Sequence, residues 1–292
     1  MDDFTSYILY EQYKKVQKLG DTLSNISESI DWEPFRVIIS RLYKDNKEKG
    51  GRPHFDEILM VKILVLQQLY GLSDYDIERH IYDRISFWRF LGGPKELPDR
   101  STIWLFRERL KDNDSLDLLW TELQCQLDNM GYAIIRGVMQ DATFITADPG
   151  HAKAKKPRGN DALTRRSKDG TWSKKGNRSY FGFKMHTLVD KEHQFIRSVA
   201  TSTASLHDCQ VDLSEQGQTV YRDRGYYGVE PNASMDKTMD RATRNHPLSC
   251  KQNRRNRAIS RIRSLVERPY AVVKRIFRGG HVLVTTVERV HV

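Results

Sequence analysis

At Tyr132 the periodicity of the chain changes, and that change limits the fold more than any other feature of the sequence. Before it, broken apolar repeats at helical spacing occupy residues 4–19 and 33–43. The stretch Phe55–Tyr70 (FDEILMVKILVLQQLY) is apolar nearly all round, which predicts a buried core helix. After it, residues 133–148 (AIIRGVMQDATFITAD), Tyr180–Val189 and Phe195–Thr203 are rich in β-branched and aromatic side chains, as strands are. In a chain of 292 residues this order predicts a helical domain over 1–131 followed by an α+β or α/β domain over 132–292.

Local signals set the finer boundaries. Gly71 ends the core helix, and Ser73 reads as the N-cap of the next, with Asp76 in the place of the usual capping-box glutamate. After Gly92-Gly93-Pro94, Ser101 is expected to cap a helix (STIWLFRERL), and Asp114 a further one through Asp128, closed by Gly131. In the second half Asp190–Gln194 joins two strands as a hairpin. A short helix is expected over 207–216, a buried strand over Thr219–Asp223, and a long basic helix from Arg257 to Phe277. Residues 150–179 hold Leu163 and Trp172 as their large apolar side chains and read as a mobile basic loop. The final stretch HVLVTTVERVHV reads as an unfinished apolar segment, as in a truncated copy, expected to leave Val282, Leu283, Val284 and Val287 partly exposed.

Charge narrows the class of partner. The net charge of +10 is concentrated in residues 151–180, with ten Lys/Arg against two acids, and 241–280, with twelve Lys/Arg against Glu267 alone. The remainder is net acidic. Two basic blocks in such a chain point to a polyanion, nucleic acid first, since neutralised phosphates release counterions. Other classes find little support. Met1-Asp2-Asp3 lacks a signal peptide's cationic start, and the apolar run Ile63–Leu66 is stopped by Gln67 and Gln68, so no membrane association is expected. Cys125, Cys209 and Cys250 lie far apart, which fits a reducing cytoplasm and no zinc framework. There is no nucleophile elbow and no phosphate-binding glycine loop with a lysine.

Three acids stand out by position. Asp141 lies within the first strand of the second domain, Asp223 ends a later strand, and Glu267 is surrounded by arginines. Singly, each has an ordinary use: a strand-end Asp caps turns, and a Glu among arginines forms an ion pair. His207, Asp208 and Cys209 read as a helix cap rather than ligands, and His186 as a core or substrate-facing polar group. On a helix, however, Arg263, Glu267 and Lys274 fall near one face, placing one carboxylate between two cations. Hard oxygen donors of this kind suit Mg²⁺ or Mn²⁺ rather than Zn²⁺.

These residues resemble the signatures of an insertion-sequence transposase of the DDE type, in its insertion-sequence-five branch. Asp141-Ala142-Thr143 is similar to the first aspartate motif and Asp223-Arg224-Gly225-Tyr226 to the second. Arg263, Glu267 and Lys274 match three terms of the tyrosine–arginine–glutamate–lysine signature, with Ser260 where the tyrosine stands. Tyr180 to His186, Ser205 to Asp208, Gly71 to Asp74 and Pro98 to Thr102 resemble further family segments, so the likeness covers roughly residues 50–290.

The resemblance implies an RNase-H-like (retroviral-integrase-like) catalytic domain with a mixed five-stranded sheet, behind an all-helical domain for DNA-end binding or dimerisation. It implies Asp141, Asp223 and Glu267 as catalytic, metal-binding residues for two Mg²⁺ or Mn²⁺ ions, cutting strands and joining them to new sites. The partners implied are double-stranded DNA, both the element's inverted-repeat ends and its target, and a second copy of the chain on DNA. The setting implied is the cytoplasm of a prokaryote, at the nucleoid. The expected DNA contacts are Arg263 and Lys274; Arg107 and Arg109, which neighbour Trp104 and Phe106; and Lys155, Lys156, Arg165, Arg166, Lys174 and Lys175 in the basic block. The alternatives are a degenerate copy that only binds DNA, and a nuclease on the same fold.

Overall fold

The computed structural model describes residues 2–43, 53–113, 115–150 and 167–291. They divide into two compact units, Met1–Met130 and Gly131–Val292.

The first unit is helical: α1 (Asp2–Leu19), α2 (Thr22–Ser29), α3 (Glu33–Ser40), α4 (Glu57–Tyr70), α5 (Asp74–Asp83), α6 (Ile85–Phe90), α7 (Arg100–Asp112) and α8 (Ser115–Leu127). The apolar run becomes α4, which buries Ile58, Leu59, Met60, Ile63 and Leu66. Ile77, Ile81, Phe87, Phe90, Ile103, Phe106 and Leu110 pack around it. Truncating one such side chain to Ala typically costs about 2–5 kcal/mol. Gly71 ends α4 in the left-handed conformation, and the Ser73 hydroxyl caps α5 by accepting from the Asp76 N–H at 3.1 Å. One cap differs from the sequence reading. Asp99, not Ser101, starts α7, its carboxylate accepting from the Thr102 N–H at 2.7 Å. Both residue types cap well, but the charged one also gains from the helix dipole. Asp114 lies outside the described residues.

The second unit holds one mixed sheet built from β1 (Val138–Ala147), β2 (Thr171–Lys175), β3 (Arg178–Asp190), β4 (Ile196–Thr203), β5 (Thr219–Arg222) and β6 (Met235–Thr238), followed by α9 (Cys250–Arg263), α10 (Glu267–Arg275), β7 (His281–Val282) and α11 (Val287–His291). The sheet has seven strands rather than five. Five form its body: β4 pairs antiparallel with β3, β3 antiparallel with β1, β1 parallel with β5, and β5 parallel with β6. The additional two are short. β2 shares the outer edge of β3, and β7 adds parallel to the end of β1.

Of the expected loop over 150–179, positions 151–166 lie outside the described residues, and in the remainder β2 replaces loop with strand. Its Thr171–Lys175 pairs with Arg178–Gly182, because backbone hydrogen bonds to a long neighbour need no apolar side chains. Gly182 makes this crowded strand possible: a Cβ there would stand 2.3 Å from the Ile145 carbonyl oxygen. Two helix readings also change. In place of a helix over 207–216 there is a single 3₁₀ turn, Asp208–Gln210. The expected helix Arg257–Phe277 is two helices divided by a 3₁₀ turn at Ser264–Val266. Pro269 explains the division. It cannot donate back to residue 265, and at the third position of α10 its missing N–H is one that no helix satisfies internally. The final segment is partly exposed as expected: Val282, Val284 and Val287 are half-buried and Leu283 is exposed, while Val282, Val287 and Val290 also pack against the core.

Side chains alternate between the faces of the sheet. One face carries Met139, Ile145, Ala147, Phe181, Phe183, Met185 and Val189 and packs against Val266 and Tyr270. Val138, Leu188 and Val220 occupy the other. The hairpin between β3 and β4 is held by Asp190, whose carboxylate accepts from the N–H groups of Glu192, His193 and Phe195.

Candidate active site

Asp141 sits midway along β1, between Met139 and Thr143 on the face that α10 covers. β1 and β5 are parallel with Met139 opposite Tyr221, so the same register carried two residues further sets Asp223 level with Asp141. Adjacent strands lie about 4.8 Å apart, and residues in step share a face. Strand pairing therefore brings two acids separated by 82 positions to one place. Asp223 also serves as the cap foreseen for a strand-end aspartate. Its Oδ1 accepts from the Gly225 N–H at 2.7 Å, and a Cβ on Gly225 would sit 2.9 Å from that oxygen.

The two helices complete the arrangement. Arg263, the last residue of α9, donates from Nη1 to Asp141 Oδ2 at 2.5 Å. Glu267 opens α10. Three residues on, the Tyr270 hydroxyl meets Thr187 Oγ1 at 2.8 Å, and Thr187 is the β3 partner of Asp141. One further turn along, Lys274 donates to Thr143 Oγ1 at 2.5 Å. The division between α9 and α10 thus leaves Arg263 and Lys274 on side chains two apart in β1.

Charge and burial act together here. The Asp141 carboxyl is pushed up to about 6, first by burial and then by the negative charges of Asp223 and Glu267, against the pull of Arg263. Lys274 is lowered by burial and by Lys175, while Glu267 opposes the shift. Burial raises both Tyr226 and Tyr270, with Asp141 adding to each. Tyr226 is fully buried, and its hydroxyl is approached by Gln140 without a hydrogen bond of ordinary geometry.

Asp141, Asp223 and Glu267 are thus electrostatic neighbours. Among the described residues, though, no three acidic, histidine or cysteine side chains are drawn close enough to share one metal ion. Like charges repel, and Arg263 already neutralises Asp141.

The other expected contacts divide. Lys174 and Lys175 are exposed on β2, and Lys175 is close enough to Lys274 to depress it. Lys155, Lys156, Arg165 and Arg166 lie outside the described residues. In the helical unit Arg107 is engaged by Asp74 at 2.8 Å and Gln67 at 3.3 Å, and Arg109 lies over the Tyr43 ring. Phe106 is core, whereas Trp104 is 45% exposed. His207 caps the 3₁₀ turn, and His186 is buried with Nε2 on Ser202 Oγ at 2.7 Å. Thr187 and Tyr270 are the site residues that sequence reasoning passed over, while Thr143 and Tyr226 enter it only as members of the two aspartate motifs. Tyr270 had a usable signal: it stands one helical turn after Glu267.

Two family models match the chain. A transposase domain (DUF772) covers residues 11–109, and a transposase DDE domain covers residues 134–292. No solved structure matches.

Proposed function

Because the chain belongs to the DDE transposase family, we propose that it cuts DNA at the ends of an insertion element and joins those ends to new DNA, with Asp141, Asp223 and Glu267 as its catalytic carboxylates. One observation carries this reading: the parallel register of β1 and β5, Met139 opposite Tyr221, which carried two residues further sets Asp223 level with Asp141 on the sheet face against which the Glu267 helix packs. The strand order β4–β3–β1–β5–β6 supports an RNase-H-like description of the unit, and the motif spacing supports the insertion-sequence-five branch.

The donors fit divalent cations in kind. All three are hard oxygen ligands, and the raised Asp141 carboxyl marks a place where negative charge accumulates. Two Mg²⁺ or Mn²⁺ ions held by Asp141, Asp223 and Glu267 would supply Lewis-acid activation of the attacking oxygen and stabilise the leaving one. The cations of the chain have separate tasks. Arg263 balances Asp141 in the free protein and is placed to turn to a DNA phosphate. Lys274, anchored on Thr143, offers a second phosphate contact beside it. Tyr270 fixes the distance between α10 and β3 through Thr187.

In the same reading the helical unit recognises the element ends and the chain acts as a dimer on DNA. Since Arg107 and Arg109 hold the fold, the exposed set Tyr75, Arg79, Arg100 and Trp104 is the better candidate contact. Arg79 and Arg100 both lie over the Tyr75 ring. A second reading, a chain that binds DNA without cutting, draws on the Arg263–Asp141 pair and on Ser260 in the signature tyrosine's place. Labelled duplex carrying the element's inverted repeats tests both. Mg²⁺-dependent nicking at the ends, followed by joining of the 3′ end to a second duplex, is the expected result. Binding without any cleavage would select the second reading.

A further inference from the structure

The α9 helix carries cations that the site leaves unused. It has no acidic residue in Cys250–Arg263. Its inner face is fixed: Ile259 is buried, and Asn256 exchanges hydrogen bonds with the Asp240 backbone at 2.8 and 2.9 Å. Arg255 is paired with Asp240, and Arg263 with Asp141. That leaves Lys251, Arg254, Arg257 and Arg261, all exposed, whose side chains have no ion-pair or hydrogen-bond partner among the described residues. At 100° per residue Arg254, Arg257 and Arg261 fall within a sector of about 60°, opposite the buried seam, and Lys251 extends the row. An ordinary solvated helix face alternates its charges. Here like charges stand three and four residues apart, an arrangement that weakens a helix unless something neutralises it.

We infer that Lys251, Arg254, Arg257 and Arg261 form a phosphate track that holds one strand of duplex DNA along α9 and leads it to the carboxylates. The inference rests on the proposed function. The row spans about 15 Å along the helix, and a strand's phosphates advance about 3.4 Å per nucleotide along the duplex axis, so about four to five phosphates match it. Its inner end is two residues from Arg263, which contacts Asp141, so a strand following the row arrives at the site.

The test is the salt dependence of duplex binding by the full chain, in EDTA so that no cleavage intervenes. Fluorescence anisotropy with a random-sequence duplex of about 30 base pairs gives log K against log salt. In R254Q/R257Q/R261Q, with helicity checked by circular dichroism, the slope should become shallower by about 2 to 3, near 0.9 for each phosphate that is no longer neutralised. The K14Q/K15Q/K18Q control removes the same charge from exposed positions on α1 and should leave the slope in place. An equal drop in both variants, an unchanged slope in the arginine variant, or tighter binding of hairpin RNA than of duplex would each overturn the track. Failure of the wild-type chain to bind duplex at all would overturn the proposed function along with it.

Discussion

Arg263 and Asp141 lie 122 residues apart in sequence, yet Nη1 of one is 2.5 Å from Oδ2 of the other. Both side chains are largely buried, so each is the principal charge its partner meets. Arg263→Ala leaves a buried carboxylate alone and should destabilise the metal-free protein by about 2–4 kcal/mol in urea unfolding. The double variant Asp141→Asn/Arg263→Gln should recover most of that. Simple addition of the two single effects would show that the pair is uncoupled.

Asp141→Asn, Asp223→Asn and Glu267→Gln should each bind duplex as wild type does and lose Mg²⁺-dependent cleavage by at least about a thousandfold. Calorimetric Mn²⁺ titration should show weaker uptake in the same variants. Asp223→Asn keeps an oxygen for the Gly225 N–H and should unfold at nearly the wild-type temperature. Full cleavage in any one of them would remove that residue from the active site.

Tyr270→Phe deletes the bond to Thr187 and strands a buried hydroxyl, at a cost of about 1–2 kcal/mol. Adding Thr187→Val, which removes the stranded partner, should return stability toward wild type. If Thr187→Val worsens the loss, the two hydroxyls do not act as a pair.

His186 gives the second unit a pH response. Burial, with Lys184 adding and Asp208 opposing, holds its imidazole down at about 4 rather than 6.5. The unfolded chain therefore takes up this proton more readily than the folded one. The associated stability is intact above about pH 6.5 and is lost progressively toward pH 4, by up to about 3 kcal/mol. His186→Asn should flatten that part of the profile measured by denaturant titration, and an unchanged profile would assign the acid response elsewhere.

Arg107→Ala should lower the stability of the helical unit by about 1–2 kcal/mol, since Asp74 and Gln67 both lose a partner. It should weaken end and random DNA alike. Arg100→Ala and Trp104→Ala should instead weaken binding to element ends more than to random duplex. The reverse pattern would return the contact to Arg107.

How much of the structure is legible in the sequence depends on the range of the interactions. The core helix, its stop at Gly71 and the Ser73 cap are readable because each is decided within one helical turn. The hairpin at Asp190 is readable for the same reason. β2 is not, because what makes Thr171–Lys175 a strand is the free edge of β3, and lysine-rich composition says nothing of a neighbour's edge. The break before Pro269 is foreseeable from the missing N–H alone. Asp141, Asp223 and Glu267 stand out by position and motif, and Thr143 comes with the first motif, but Thr187 is visible only through strand register. Arg107 reads as a surface contact because of its aromatic neighbours, while the acid that holds it lies 33 residues upstream.

The short strand β7 has a consequence for how the protein is made. Thr146, on the strand that bears Asp141, pairs with His281, 135 residues later. During synthesis that strand waits for this neighbour until residue 281 has left the ribosome. Closing so long a loop is slow, because its entropy is lost before the contact rewards it. The nascent polypeptide therefore emerges with this edge of β1 unpaired, and the sheet is completed late in translation rather than growing along with it.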